Sequence, residues 1–127
     1  MKLITEEWMK ASEDDLLAAK SLAAQSRLTH ISAFHCQQCI EKCFKAIVEE
    51  RGLKFIKTHD LLRLEEYVDF SLDRENHSML EVINEGYIDA RYPGDFGLFP
   101  EGKPTIDEVG RFIELADHIL KSTKGLF

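Results

Sequence analysis

The tetrapeptide Lys57-Thr58-His59-Asp60 places an ammonium and an imidazole beside two residue types that start helices. At a helix start the unbonded backbone N–H groups and the positive end of the dipole attract anions, so Lys57 and His59 would complete a phosphate site there. A structural role accounts for the same residues: Thr58 or Asp60 caps the helix, His59 bonds to a neighbouring helix, and Asp60 competes with any incoming anion. A second constellation lies upstream, between Ala33 and Ala46. A helical advance of about 100° per residue gathers Ala33, Cys36, Ile40, Cys43, Phe44 and Ile47 into an apolar stripe. The same rotation lines up His35, Gln38, Lys42 and Lys45 on roughly the other side, with Ile31 and Phe34 at the upstream end. Such a strip suits phosphate or a partner's carboxylates. It equally suits a homodimer interface at which Lys42 and Lys45 neutralise acidic neighbours such as Glu41 and Glu49, with Phe34, His35, Gln38 and Lys42 in the contact.

Two further groups carry chemistry. Cys36, Cys39 and Cys43 fall within about 60° of one helix and would point toward one metal, but there is no fourth cysteine and His35 stands about 40° or more away. They are read as small apolar core thiols, with no metal and no cofactor expected. In Arg91-Tyr92-Pro93 the guanidinium can grip phosphate bidentately, and Tyr87 or Tyr92 can stack on a base; the same groups can instead brace the loop that follows. There is no Ser-His-Asp order, Gly-rich phosphate loop or paired metal-binding carboxylates.

The elements that must hold these residues are helices. All three prolines lie between Pro93 and Pro104, leaving the rest of the chain free of helix breakers. A first helix capped by Thr5 is expected to run to about Gln25 with Trp8, Leu16, Ala19 and Ala23 facing the core. A polar link over 26–29 leads into the second, which ends at Arg51-Gly52. A third starts from Thr58 or Asp60 and carries Leu61, Leu62, Leu64, Tyr67 and Val68; a fourth spans about 74–90. The segment 91–104 is too rich in Gly and Pro for regular structure, and Phe96, Leu98 and Phe99 require it to dock, either on the bundle or on a partner. Thr105 and Glu108 have capping-box spacing and open a fifth helix with Val109, Phe112, Ile113, Ala116, Ile119 and Leu120 inward and Gly125 at its end. Short links between helical periods predict an all-α, up-and-down antiparallel bundle, with residues 1–127 as one domain.

Charge narrows the partners. A net charge of −7 excludes a broad duplex-DNA surface and leaves room only for a focused cationic site. No apolar run is long enough to span a bilayer, the start Met1-Lys2-Leu3-Ile4-Thr5 lacks a signal core, and an odd number of clustered cysteines is no disulfide framework, so the cytoplasm is the expected compartment.

Phe34-His35-Cys36-Gln37-Gln38-Cys39-Ile40-Glu41-Lys42, then Lys45-Ala46, Lys57-Thr58-His59-Asp60-Leu61, Tyr87 and Arg91-Tyr92-Pro93 together resemble the HEPN domain family, over nearly the whole chain and closest to its small stand-alone prokaryotic members. The resemblance implies a bundle of about five helices, usually dimeric. It further implies binding of nucleotides, frequent pairing with a minimal nucleotidyltransferase and, in some members, an RNA-cleaving toxin silenced by that partner. The ribonuclease branch is marked by an Arg, four to six intervening residues and a His. Arg27 to His35 and Arg51 to His59 are one residue too far apart, whereas Arg111 to His118 fits. Phe112 follows Arg111 where catalytic members more often carry a polar residue, and Leu120 stands where a Tyr is usual.

The expectation is thus a HEPN-type module binding nucleotide or nucleic-acid phosphate through Lys42, Lys45, Lys57, His59 and Arg91, as a homodimer beside a nucleotidyltransferase in a toxin–antitoxin-like pair. The alternatives are a metal-independent endoribonuclease using Arg111 and His118, and a structural or inhibitory partner of a nucleotidyltransferase that binds no ligand.

Overall fold

The computed structural model of the chain describes residues 1–88, 99 and 102–127. Its helices are α1 (Leu3–Leu22), α2 (Thr29–Glu50), α3 (Leu61–Tyr67), α4 (Arg74–Ile88) and α5 (Ile106–Gly125), with a 3-10 turn over Ser26–Leu28 between the first two. Trp8 of α1 lies near Lys45, and Asp15 near His35 and Lys42, so α1 and α2 run antiparallel. Lys20 pairs with Asp117 and Glu13 with Lys124, which sets α5 antiparallel to α1. Tyr87 near the end of α4 stacks on Phe34 near the start of α2, so the four long helices alternate in direction, and α3 is a short inset between α2 and α4. The expected all-α up-and-down bundle is what the chain forms.

Local chemistry explains most boundaries. Gly52 has a φ of 65°, the left-handed conformation that ends α2. Asp60, rather than Thr58, caps α3: its carboxylate accepts from the N–H groups of Leu62 and Arg63. Thr58 Oγ1 instead accepts from the Asp60 N–H one step earlier. The Thr105–Glu108 capping box is complete in both directions. Thr5 is a correction. α1 begins at Leu3, and Thr5 lies buried inside its first turn, donating its hydroxyl to Glu50 at the end of α2. A partner across the bundle offered more than a local cap.

The core collects Cys36, Cys39, Ile40, Cys43, Phe44 and Ile47 from α2, Leu16 and Ala19 from α1, Leu61 and Leu64 from α3, Leu80 and Ile83 from α4, and Phe112, Ala116 and Ile119 from α5. The cysteine face is core, as expected. Burial pushes the Cys36 and Cys43 thiols up, which keeps them neutral. The closeness of α1 and α2 depends on small residues. Ser12 donates to the Cys39 carbonyl at 2.9 Å and Ser32 to the Ala19 carbonyl at 2.7 Å, both buried.

Of the apolar loop, Phe96 and Leu98 lie outside the described residues, and Phe99 docks on the bundle. Its ring sits 5.7 Å from that of Phe112, over Gly86, where an added Cβ would come within 2.7 Å of Phe99 Cζ. Gly86 is thus a seat for an aromatic ring.

α3 and α4 are joined by charge. His77 Nδ1 meets Glu65 Oε2 at 3.0 Å, and Nε2 lies 3.7 Å from Glu81. The hydrogen bond that His77 donates to Glu65, and the charge of Glu65, hold the His77 pKa above the ordinary value, with Glu81 adding to the effect. A raised folded-state pKa contributes stability that is fully present below the unfolded value and is lost as pH rises through the folded one. Urea midpoints taken at about pH 6 and about pH 8.5 should therefore separate wild type from His77→Gln more at the lower pH. An equal difference at both would remove the linkage.

Candidate functional site

The polar side of α2 is organised by two buried carboxylates. Asp15, on the same face of α1 as Ser12 and Ala19, accepts from His35 Nδ1 at 2.8 Å and from Lys42 Nζ at 2.5 Å. One carboxylate thereby spans both ends of a seven-residue step on α2. Glu41 is more crowded. Its side chain is only 4% exposed and accepts from Lys45 Nζ at 2.8 Å, Gln37 Nε2 at 3.2 Å and His59 Nδ1 at 3.1 Å, with Gln38 Nε2 at the margin, 3.5 Å. These donors replace much of the hydration that a carboxylate loses on burial.

Lys45 is held on two sides. Its ammonium faces Glu41 and sits over the rings of Trp8 at 5.7 Å and Phe55 at 6.0 Å. The strip foreseen on α2 therefore divides in two. His35 and Lys42 turn to α1, while Gln38 and Lys45 turn with Gln37 and Glu41 toward the segment leading into α3. The charges of Lys42 and Lys45 are matched inside the chain.

His59 is the outward end of this network. Its Nδ1 faces Glu41, its backbone carbonyl accepts from Gln37 Nε2 at 3.1 Å, and its ring is 53% exposed. A carboxylate at Nδ1 fixes the proton there, and among the described residues no hydrogen bond uses Nε2. The ring also packs against Tyr87, centroids 5.4 Å apart, and Tyr87 stacks on Phe34 at 6.0 Å and 17°. Burial, and then the charge of Glu41, raises the pKa of Tyr87. Lys57 is exposed two residues before His59.

The backbone donors expected to serve an anion at the start of α3 are already engaged. Leu62 and Arg63 donate to Asp60, and Leu61 N–H donates to Asn84 Oδ1 at 2.9 Å while Asn84 Nδ2 returns a bond to Asp60. The cations at this end of the bundle are therefore side chains. Arg91, Tyr92 and Pro93 lie outside the described residues.

Arg111 and His118 are both exposed on α5 and line one groove of about 270 Å³ with Glu75, Asn76 and Met79 of α4 and Glu114 and Leu115 of α5. The groove is well separated in sequence and helix from the Glu41 network. Among the described residues no group of three or more His, Cys, Asp or Glu is arranged to hold a metal ion, and no helix is long and apolar enough to cross a membrane.

Sequence reasoning missed Asp15, Asn84 and the central place of Glu41. Signals existed for two of them. Asp15 falls in register with Ser12, Leu16 and Ala19 on the core side of α1, and Glu41 stands four residues before Lys45. Nothing local marks Asn84, whose partners come from another helix.

The family model of the HEPN domain matches residues 5–126. Two solved structures share the fold. An archaeal HEPN homologue, ST0689, is 22% identical with a TM-score of 0.71, the alignment covering 99% of this chain and 98% of that one. TT1696 from Thermus thermophilus is also 22% identical, with a TM-score of 0.78 and coverage of 97% and 98%. No curated protein matches the chain.

Removing Glu41 alone would leave Lys45 buried without its counter-charge, so Glu41→Ala should cost about 3–5 kcal/mol in urea unfolding. Replacing the pair together, Glu41→Leu with Lys45→Met, should recover most of that loss. Additive losses in the double variant would show that the two side chains do not act as a pair.

Proposed function

The chain belongs to the HEPN domain family, and on that premise we propose that it is a binding module for a nucleotide or nucleic-acid phosphate, with Lys57 and His59 as its direct contacts. The observation that carries this reading is the exposed His59 ring, held at Nδ1 by buried Glu41 and standing beside exposed Lys57. A ring oriented in advance presents Nε2, which donates to a phosphate oxygen when the imidazole carries both protons, with little further loss of freedom. Lys42 and Lys45 act in this scheme by neutralising Asp15 and Glu41, whose charges would otherwise repel a phosphate. Arg91 is the proposed third cation. The working assembly is a homodimer joined through Phe34, His35, Gln38 and Lys42, paired with a minimal nucleotidyltransferase as in toxin–antitoxin systems. Titration calorimetry with ATP should give saturable heat, and Lys57→Gln and His59→Gln should each weaken binding about tenfold or more, the worth of one charge-assisted hydrogen bond. Absence of heat with ATP and with RNA, or full binding by the double variant, would overturn the assignment.

A second reading rests on the groove between α4 and α5. Arg111 and His118 line it together, as a metal-independent endoribonuclease requires, with His118 as acid or base and Arg111 stabilising charge on the phosphate. Cleavage of RNA in the presence of a chelator should then fall about a hundredfold or more in His118→Ala. Equal cleavage by both proteins would remove this reading.

A further inference from the structure

The connection between α2 and α3 concentrates positive charge in an acidic protein. From Arg51 to Arg63, both included, stand four Lys or Arg against the single Asp60, in a chain of net charge −7. None of Arg51, Lys54, Lys57 and Arg63 enters an ion pair among the described residues, and all four are exposed. Between the two lysines lies Phe55, 58% exposed, with Leu53 also open to solvent at 38%. What distinguishes this exposed ring from the other exposed apolar side chains is the pair of lysines, Lys54 and Lys57, that stand on either side of it in the strap.

The strap is also held in place. Tyr67 Oη donates to the Lys54 carbonyl at 2.6 Å, the Leu53 N–H bonds to the Val48 carbonyl, and Gln37 holds the His59 carbonyl. Lys45, itself fixed by Glu41, braces the ring of Phe55 from the protein side. Beside the strap a hollow of about 480 Å³ is lined by Ile56, Arg63, Glu66 and Tyr67; Glu66 is the one acid in it. The ring and the cations are thus displayed on a backbone with little freedom left to lose on binding.

We infer that the strap over residues 53–59 is a binding platform for single-stranded nucleic acid, on which a base stacks on Phe55 while Lys54 and Lys57 meet the flanking phosphates. This rests on the phosphate-binding reading above and deepens it, since a mononucleotide would use Lys57 and His59 but would have no need of Lys54 on the far side of the ring. Three features favour this class of ligand. Alternation of cation and aromatic residue is what unpaired bases with their phosphates require, because every base has a stacking face. A duplex hides those faces and asks for a broader basic surface than an acidic chain supplies. An acidic peptide would match the lysines and leave the ring unused.

The test is fluorescence anisotropy with a labelled single-stranded 12-mer as RNA and as DNA, the same RNA as a duplex, and poly-glutamate as competitor, on the full chain. Single strands should bind most tightly, the RNA and DNA arms showing whether the 2′-hydroxyl matters. Phe55→Leu, which keeps an apolar group against Lys45 and whose folding is to be checked by circular dichroism, should weaken single-strand binding about fivefold to a hundredfold and leave the salt dependence unchanged. Lys54→Gln should lower the slope of log affinity against log salt by about 0.7. Unchanged affinity in Phe55→Leu, preference for duplex, or equal competition by poly-glutamate would each overturn the inference. If ATP still binds and depends on Lys57 and His59, the phosphate-binding reading survives that failure; if neither ATP nor single strands bind, both are lost.

Discussion

A carboxylate taken out of water sets the terms for one whole side of this bundle. Glu41 lies in the middle of α2, and burying its charge is tolerable only if donors surround it. Those donors come from one turn to either side on its own helix and from the chain that leads into α3. Satisfying Glu41 therefore fixes the rotamers of Gln37 and Lys45, pins His59, and places Phe55 by way of the Lys45 ammonium. The loop between α2 and α3 takes its shape from this network and from the Tyr67 anchor more than from any hydrogen-bond pattern of its own.

Asp15 plays a similar part on a smaller scale. It meets an imidazole and an ammonium of α2 from the facing helix, and with Ser12 and Ser32 it makes the α1–α2 contact polar as well as close. These bonds require a particular register, because a slide of one residue along either helix would strand the serine hydroxyls and the carboxylate together. Apolar packing would permit many alignments of two helices. The buried polar groups select among them.

Charge is then distributed unevenly. Lys42 and Lys45 are absorbed by in-chain carboxylates, whereas Lys54 and Lys57 face solvent on the strap, Arg63 on α3 and Arg111 on α5. A fold can host several unrelated sites, and here the strap and the α4–α5 groove are two separate surfaces with different chemistry. The first presents lysines beside an exposed aromatic ring, and the second presents Arg111 and His118 in one groove.

Helix number, the core stripes of α2 and α5, the end of α2 at Gly52 and the Thr105–Glu108 capping box were legible in the amino-acid sequence, because each depends on residues three or four positions apart or on one backbone conformation. Family membership was legible for the same reason, as local motifs in order. Thr5 was misread because its partner, Glu50, lies 45 residues away and displaces the local cap. The polar strip His35, Gln38, Lys42 and Lys45 was visible as a strip, but its division between Asp15 and Glu41 was not. Periodicity reports which residues share a face and is silent about what the opposing helix offers. Only the tertiary structure decided which cations are neutralised inside the protein and which face solvent, since Asp15 reaches Lys42 from the facing helix and packing is what buries Glu41 beside Lys45.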